Sequence, residues 1–203
     1  MDVNIKNLQS SLQLLGFDCG PVDGLWGVRT QQAMMALISS KNGPMASAVA
    51  SASSGKVIYQ GGSHAPVHEI IIHCAATPVG WMEGAPLEAK IAEITAWHKA
   101  RGFRTIGYHW VIDRDGRILP GRAETEIGAH VEGHNTGTIG ISLVGGATSN
   151  ENDVFSKNYT VAQEKALRNL IAEIKLRTPI TKVSGHNEYS AKACPGFTVS
   201  KWL

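Results

Sequence analysis

The tightest constraint on this chain is the stretch Ser184-Gly185-His186-Asn187-Glu188-Tyr189-Ser190-Ala191-Lys192-Ala193-Cys194-Pro195-Gly196-Phe197, which sets a His, a Lys and a Cys in one short loop near the C-terminus. Histidine nitrogen and cysteine thiolate are common zinc ligands. A catalytic zinc site takes three protein donors and keeps one position open. The loop supplies two donors, His186 and Cys194. The fold must therefore bring a third donor to this loop, best from the end of a rigid strand.

Eight histidines bear on the search. His64 and His68 lie in a polar lead-in, and His98 falls on a helix, where it reads as a surface or packing residue. His109 stands beside Tyr108 in a strand and reads as structural. His130 and His134 are four apart, but Gly128, Gly133 and Gly137 argue for a loop rather than a helix, so the spacing does not make a ligand pair. Both are expected to line a groove. His73 ends the β-branched run Glu69-Ile70-Ile71-Ile72-His73-Cys74, bounded by Pro66 and by Thr77-Pro78, which reads as a buried strand. Spacing favours His73, with Cys74 as its rival. Adjacent strand residues point to opposite faces, so the two do not easily bind one ion.

The rest of the chain divides around this site. Ile5, Leu8, Leu12 and Leu15 recur at helical spacing, and Gly16 ends the run. A compact turn with its tightest bend at Asp23-Gly24 leads to a second helix over about Val28 to Ile38, with Ala33, Met34, Leu37 and Ile38 inward. Residues 41–62 begin with a small-residue run and read as a flexible linker. Residues 63–203 then form the second domain. Pro86 to Ala100 reads as a helix with Leu87, Ile91, Ile94 and Trp97 inward. Tyr108 to Asp113 reads as a strand that returns through an Arg114-Asp115-Gly116-Arg117 hairpin over Arg117 to Leu119. Thr138 to Val144 is another buried strand. Thr160 with Gln163 makes a capping box for a helix whose inner face carries Ala166, Leu167, Leu170, Ile171, Ile174 and Leu176. Lys182-Val183-Ser184 is a short strand that delivers the loop. Strands mixed with helices and a hairpin predict an α/β domain with a mixed central sheet flanked by helices, behind a small N-terminal α-helical domain.

The chain is 43% hydrophobic and 18% charged with a net charge of +2, which argues against nucleic acid as a partner. Three cysteines, Cys19, Cys74 and Cys194, make a poor disulfide framework, so reduced thiols are expected. No run approaches the roughly 20 apolar residues of a membrane span, so no stable membrane insertion is expected. Residues 1–6 lack the basic and apolar regions of a signal peptide.

Two resemblances extend this reading. Leu8-Gln9, Leu12, Leu15-Gly16, Val22-Asp23-Gly24, Trp26-Gly27 and Thr30 resemble the peptidoglycan-binding type 1 module, placed here at residues 1–40. The second domain resembles the zinc N-acetylmuramoyl-L-alanine amidase family related to T7 lysozyme (amidase type 2). The matching pieces are Ile72-His73-Cys74-Ala75-Ala76-Thr77, Gly107-Tyr108-His109-Trp110-Val111-Ile112, Asp115-Gly116, Gly121-Arg122, Gly128-Ala129-His130, Ile139-Gly140-Ile141, Gly185-His186-Asn187 and Lys192-Ala193-Cys194-Pro195-Gly196, in family order. The resemblance implies zinc (Zn2+) ligands at His73, His186 and Cys194, with Tyr108 and Lys192 as catalytic residues. A second branch of the family carries a glutamate where this chain has Ser142, so the lysozyme-like branch is the better match.

What the resemblance implies is hydrolysis of the amide between N-acetylmuramic acid and L-alanine, with zinc polarising the carbonyl and activating water. Lys192 is expected to donate to the oxyanion, and Tyr108 to orient the water or share in proton transfer. The partner is then peptidoglycan, glycan strand and stem peptide. A monomeric phage endolysin fits, made in the host bacterial cytoplasm without a signal peptide and reaching the wall after membrane permeabilisation. The alternatives are a bacterial or prophage wall-remodelling or recycling amidase, and a non-catalytic peptidoglycan-recognition protein; the latter usually lack the cysteine ligand.

Overall fold

The structure is a computed structural model that describes residues 5–40 and 57–203. The chain divides into two compact units, 1–54 and 55–203.

In the first unit, α1 (Ile5–Leu14) and α2 (Val28–Ser40) pack around Leu12, Cys19 and Ala33, with Leu8, Phe17 and Leu37 against them. The expected apolar stripe is interrupted at its centre by a polar residue. Gln9 is buried, its Nε2 lying 3.0 Å from Asp23 Oδ1, 3.0 Å from Leu25 O and 3.1 Å from Thr30 Oγ1. Its Oε1 accepts the Gly24 N–H at 2.8 Å. The Gln, the Asp-Gly and the Thr of the sequence pattern are thus one hydrogen-bonded plug that ties the turn to both helices. Leu15, expected inward, lies past the end of α1 and is exposed. The side chain of Ile38, also expected inward, lies outside the described residues.

The expected linker ends early. Residues 41–56 lie outside the described residues, but β1 (Tyr59–Gln60) already pairs antiparallel with β2 (Ala65–Pro66). Gln60 is fully buried, donating to Thr138 O at 2.9 Å and accepting from Gly137 N at 2.9 Å. Gln60, inside the expected linker, therefore packs with the second compact unit, where its amide satisfies backbone groups that an apolar residue would leave unpaired.

The second unit is a five-stranded mixed sheet. Its strands are β3 (Glu69–Cys74), β4 (Trp110–Ile112), β5 (Ile118–Pro120), β6 (Thr138–Leu143) and β7 (Lys182–Gly185), in the order β5-β4-β6-β3-β7. Within this sheet only the β4–β5 hairpin is antiparallel. All six residues of β3 and of β6 are buried, as continuous β-branched runs in a covered parallel sheet require. The flanking helices are α3 (Leu87–Ala100), α4 (Phe155–Asn158), α5 (Val161–Arg177) and α6 (Val199–Trp202).

Helix α5 starts where the sequence predicts. Thr160 Oγ1 accepts from Gln163 N at 3.1 Å, and the Gln163 side chain reaches back to the Thr160 N–H at 3.2 Å. It buries Ala166, Leu167, Leu170, Ile171 and Ile174, each large one of which contributes about 1.5–3 kcal/mol by leaving water. Leu176, expected on that face, is exposed. Trp97 is also more open than expected: it lies on the outer side of α3, against Trp81 at 5.2 Å between centroids, with its N–H on Glu93.

Register explains why the sheet makes a site. His73 pairs with Ser142 of β6, and Ile72 pairs with Gly185, the last residue of β7. Because β3 and β7 run parallel, their C-terminal ends coincide. His73 therefore emerges beside His186, the first residue of the loop that β7 delivers.

Candidate metal and catalytic site

The loop after β7 is held on three sides. It opens with a single 3-10 turn, His186–Glu188, whose Glu188 carboxylate accepts the Gly185 N–H at 2.9 Å. Asn187 N donates to Cys194 O at 2.7 Å and closes the loop on itself. Tyr159 OH donates to Pro195 O at 2.5 Å, and Asn158 Nδ2 to Gly196 O at 3.2 Å. Below it, the buried Glu69 carboxylate accepts from Ser184 Oγ at 2.5 Å and from the Tyr189 hydroxyl; Lys182 donates to that hydroxyl at 2.7 Å. Charge-assisted bonds of this kind are worth more than neutral ones. They fix the two ends of the segment that carries His186, Lys192 and Cys194.

The three predicted donors meet. One ligand atom each from His73, His186 and Cys194 lie within 4.8 Å of one another. Cys194 Sγ is 3.8 Å from His73 Nδ1, and the His73 and His186 rings are 4.8 Å apart between centroids. Cys74, the rival donor, contributes its backbone instead: its N–H donates to Cys194 Sγ at 3.2 Å. Both are free thiols, joined by a hydrogen bond between their side chains. That bond draws the Cys74 thiol down to about 7, while the same bond and then burial push Cys194 up. A cation held between the imidazoles would reverse the order, since the charge then belongs on Cys194.

Burial holds His73 well below the ordinary histidine range, with the positive potential of His130, His186, His109 and Lys192 acting in the same sense. His186 is lowered by burial and then by Lys192. Both shifts favour the neutral ring, the state in which imidazole binds a metal. Two neutral imidazoles and a thiolate at one spot suit zinc by donor chemistry.

Above the donors lies an open cleft of ≈ 830 Å³ whose lining includes Tyr108, His130, Tyr189, Lys192 and Cys194. The Tyr108 ring is 5.1 Å from that of His73 and 5.2 Å from that of His98. Burial, then the potential of Cys194 and Cys74, holds the Tyr108 phenol well above its usual range, so it remains a proton donor. Lys192 is exposed at the rim, near enough for its charge to act on both His73 and His186. His98 is not a surface residue. It is buried, and its Nδ1 accepts the Gly107 N–H at 2.8 Å behind Tyr108. The His134 ring lies tilted against that of Tyr189, at 4.4 Å between centroids. Ser142 lies buried at the bottom.

His130 is the residue whose place spacing missed. It does line the cleft, but its Nδ1 also sits 3.1 Å from His73 Nε2, behind the donor set. The two residues are 57 positions apart, so no local pattern joins them.

Comparison with known proteins gives the chain a family. A family model described as N-acetylmuramoyl-L-alanine amidase matches residues 63–197. The endolysin of Klebsiella phage KP32 is 37% identical over 134 residues, 66% of this chain and 83% of that protein. The endolysin of Escherichia phage T7 is 36% identical over 133 residues, again 66% of this chain and 83% of that protein. Among solved structures, the N-acetylmuramoyl-L-alanine amidase LysC from Clostridium intestinale URNW shares the fold, with a TM-score of 0.54 and 24% identity over 76% of this chain and 91% of that one.

Proposed function

The chain belongs to the N-acetylmuramoyl-L-alanine amidase family, and from that premise we propose how its site cleaves peptidoglycan: His73, His186 and Cys194 hold a zinc ion, and Tyr108 and Lys192 act on the amide beside it. The enzyme is a peptidoglycan-cleaving amidase, and the scissile bond joins N-acetylmuramic acid to L-alanine. The observation that carries the metal assignment is the meeting of two neutral imidazoles and one cysteine sulfur at the floor of an open cleft.

Zinc, when bound, polarises an amide carbonyl and makes water a better nucleophile at neutral pH. The remaining work falls to the protein. Attack on the carbonyl converts its oxygen to an oxyanion. Lys192, a cation at the rim, stabilises that charge by donating to it, and it can also pass a proton to the departing L-alanine nitrogen and recover the one given up by the attacking water. Tyr108 stays protonated, so it serves as a hydrogen-bond donor and orienter rather than as a base. One oxyanion donor is typically worth ~10²–10³ in rate. The walls of the cleft exclude bulk water from one side of the amide and strengthen both contacts.

The role is that of a phage endolysin, released to the wall from the cytoplasm in which it is made. The first unit serves as a peptidoglycan-binding module: its Gln9-Asp23-Thr30 plug gives a rigid scaffold of the type the sequence pattern implies. No helix among the described residues is long and apolar enough to cross a membrane.

Metal analysis tests the centre. Purified protein should carry one zinc per chain, and Cys194→Ala or His186→Ala should lose the metal and the activity together. Retention of full activity by either variant after chelation would refute the metal assignment. Deleting residues 1–55 should weaken binding to intact walls and leave small muropeptides cleavable; unchanged wall affinity would refute the binding role of the first unit.

A further inference from the structure

We propose that His130 positions His73 for the metal, by accepting a hydrogen bond from the His73 ring N–H that faces away from the site. This rests on the reading of His73 as a zinc ligand, and it assigns His130 a task besides lining the cleft. His73 Nδ1 faces Cys194 Sγ at 3.8 Å, and its Nε2 faces His130 Nδ1 at 3.1 Å. A ring that ligates through Nδ1 carries its hydrogen on Nε2. His130 Nδ1 must then be the acceptor, and the hydrogen of His130 must sit on its Nε2.

The surroundings of His130 are consistent with that tautomer. His130 Nε2 points to Thr138 Oγ1 at 3.5 Å. Thr138 Oγ1 lies 2.9 Å from His134 O and 3.0 Å from Asn135 O, so its own hydrogen is directed to a carbonyl and its lone pairs stay free to accept. The polarity runs one way, from His73 through His130 to Thr138 and the loop carbonyls.

The slot for the ring is built. A Cβ on Gly140, in the buried strand β6, would come within 2.6 Å of His130 Cγ and Cδ2. A Cβ on Gly128 would come within 2.4 Å of His130 Cδ2. Both glycines leave room that the imidazole fills. The backbone is fixed as well, since Asn135 Oδ1 accepts the N–H groups of His130 at 2.7 Å and Val131 at 2.9 Å. A partner on the outer nitrogen of a ligating histidine sets its orientation and raises its basicity, and losing such a partner typically costs 10–100-fold in metal affinity.

The test compares two near-isosteric replacements in the full chain, His130→Asn and His130→Leu. Asparagine places an amide oxygen near the position of Nδ1, and leucine leaves the same volume with no acceptor. Zinc affinity is read by competition with a chromophoric chelator, and site geometry from the visible spectrum of the cobalt(II)-loaded protein. His130→Leu should lose about 10–100-fold in zinc affinity and shift the cobalt bands, whereas His130→Asn should stay close to the parent. Equal affinities in parent and His130→Leu, or equal losses in both variants, would overturn the proposal. The parent gives a second readout that depends on no variant folding: imidazole nitrogen-15 spectra of the zinc-loaded protein should show hydrogens on Nε2 of both His73 and His130. A hydrogen on His130 Nδ1 would overturn it. A parent that binds no zinc would instead refute the metal centre itself.

Discussion

Replacing Lys90 with methionine should destabilise the second domain by about 3 kcal/mol while leaving the chemistry of the folded enzyme intact. Lys90 Nζ bonds both oxygens of Asp113 at 2.8 Å, tying α3 to the end of β4. The side chains are 7% and 3% exposed, so this ion pair is buried. Methionine keeps most of the stem's volume, and the loss is that of the charge partner. Breaking a buried pair from one side costs about 3–5 kcal/mol because the remaining charge stays out of water. Two contacts soften the loss here: the Arg114 N–H at 2.8 Å and the Arg117 guanidinium at 3.6 Å, which place the value at the low end. Urea unfolding of the metal-free protein, followed by circular dichroism, measures it. Adding Asp113→Asn to the methionine variant should recover stability, since the orphan charge is then gone. The pair sits away from the cleft, so turnover of muropeptides below the unfolding temperature should match the parent. A loss under about 1 kcal/mol, or a double variant no more stable than the single, would refute the argument that desolvated charge governs this contact.

Lys192→Ala should keep its zinc and lose about 10²–10³ in turnover, with little change in metal content; full activity would remove Lys192 from the mechanism. Tyr108→Phe should lose turnover without losing zinc. In the metal-free protein, ultraviolet titration should show no ionisation of Tyr108 below the ordinary tyrosine value of 10.0, because burial holds the phenol above it. Acid should destabilise the protein through His98. Burial, with Arg101 and Arg122 nearby, lowers its folded value to about 4 against 6.5 for a free histidine, so between these values the unfolded chain binds more protons. Its contribution is complete above pH 6.5 and falls away as pH drops toward 4. His98→Asn retains an acceptor for the Gly107 N–H and should flatten that decline in stability against pH; an unchanged slope would refute the assignment.

Part of the proposed donor set was legible as a local signal, and the family resemblance rather than spacing settled His73 over Cys74. The His186 to Cys194 loop is a short motif, and His73 closes a β-branched strand whose flanks contain proline. The capping box at Thr160 and Gln163 was legible for the same reason: three residues and one helix turn define it. What escaped is long-range and polar. Glu69 and Tyr189 are 120 positions apart, and His73 and His130 are 57 apart. Hydrogen bonds across such distances leave no periodicity. Gln60 follows a small-residue run and looks like linker, yet it plugs backbone groups of two separate loops, accepting from Gly137 and donating to Glu124 O at 3.2 Å. One signal was present. A glycine inside an otherwise β-branched strand, Gly140, marks a close approach, and the group that approaches is His130. Trp97 sits near the edge of the buried face of α3, whereas Leu176, two residues past Ile174 and about 200° round the helix from it, falls on the solvent face of α5.

The central claim is the bond that is cut. Purified protein incubated with peptidoglycan should release material with new amino-terminal L-alanine and no new reducing sugar ends, in a reaction stopped by zinc chelation. New reducing ends without new L-alanine termini would mean glycosidic cleavage and would contradict the account.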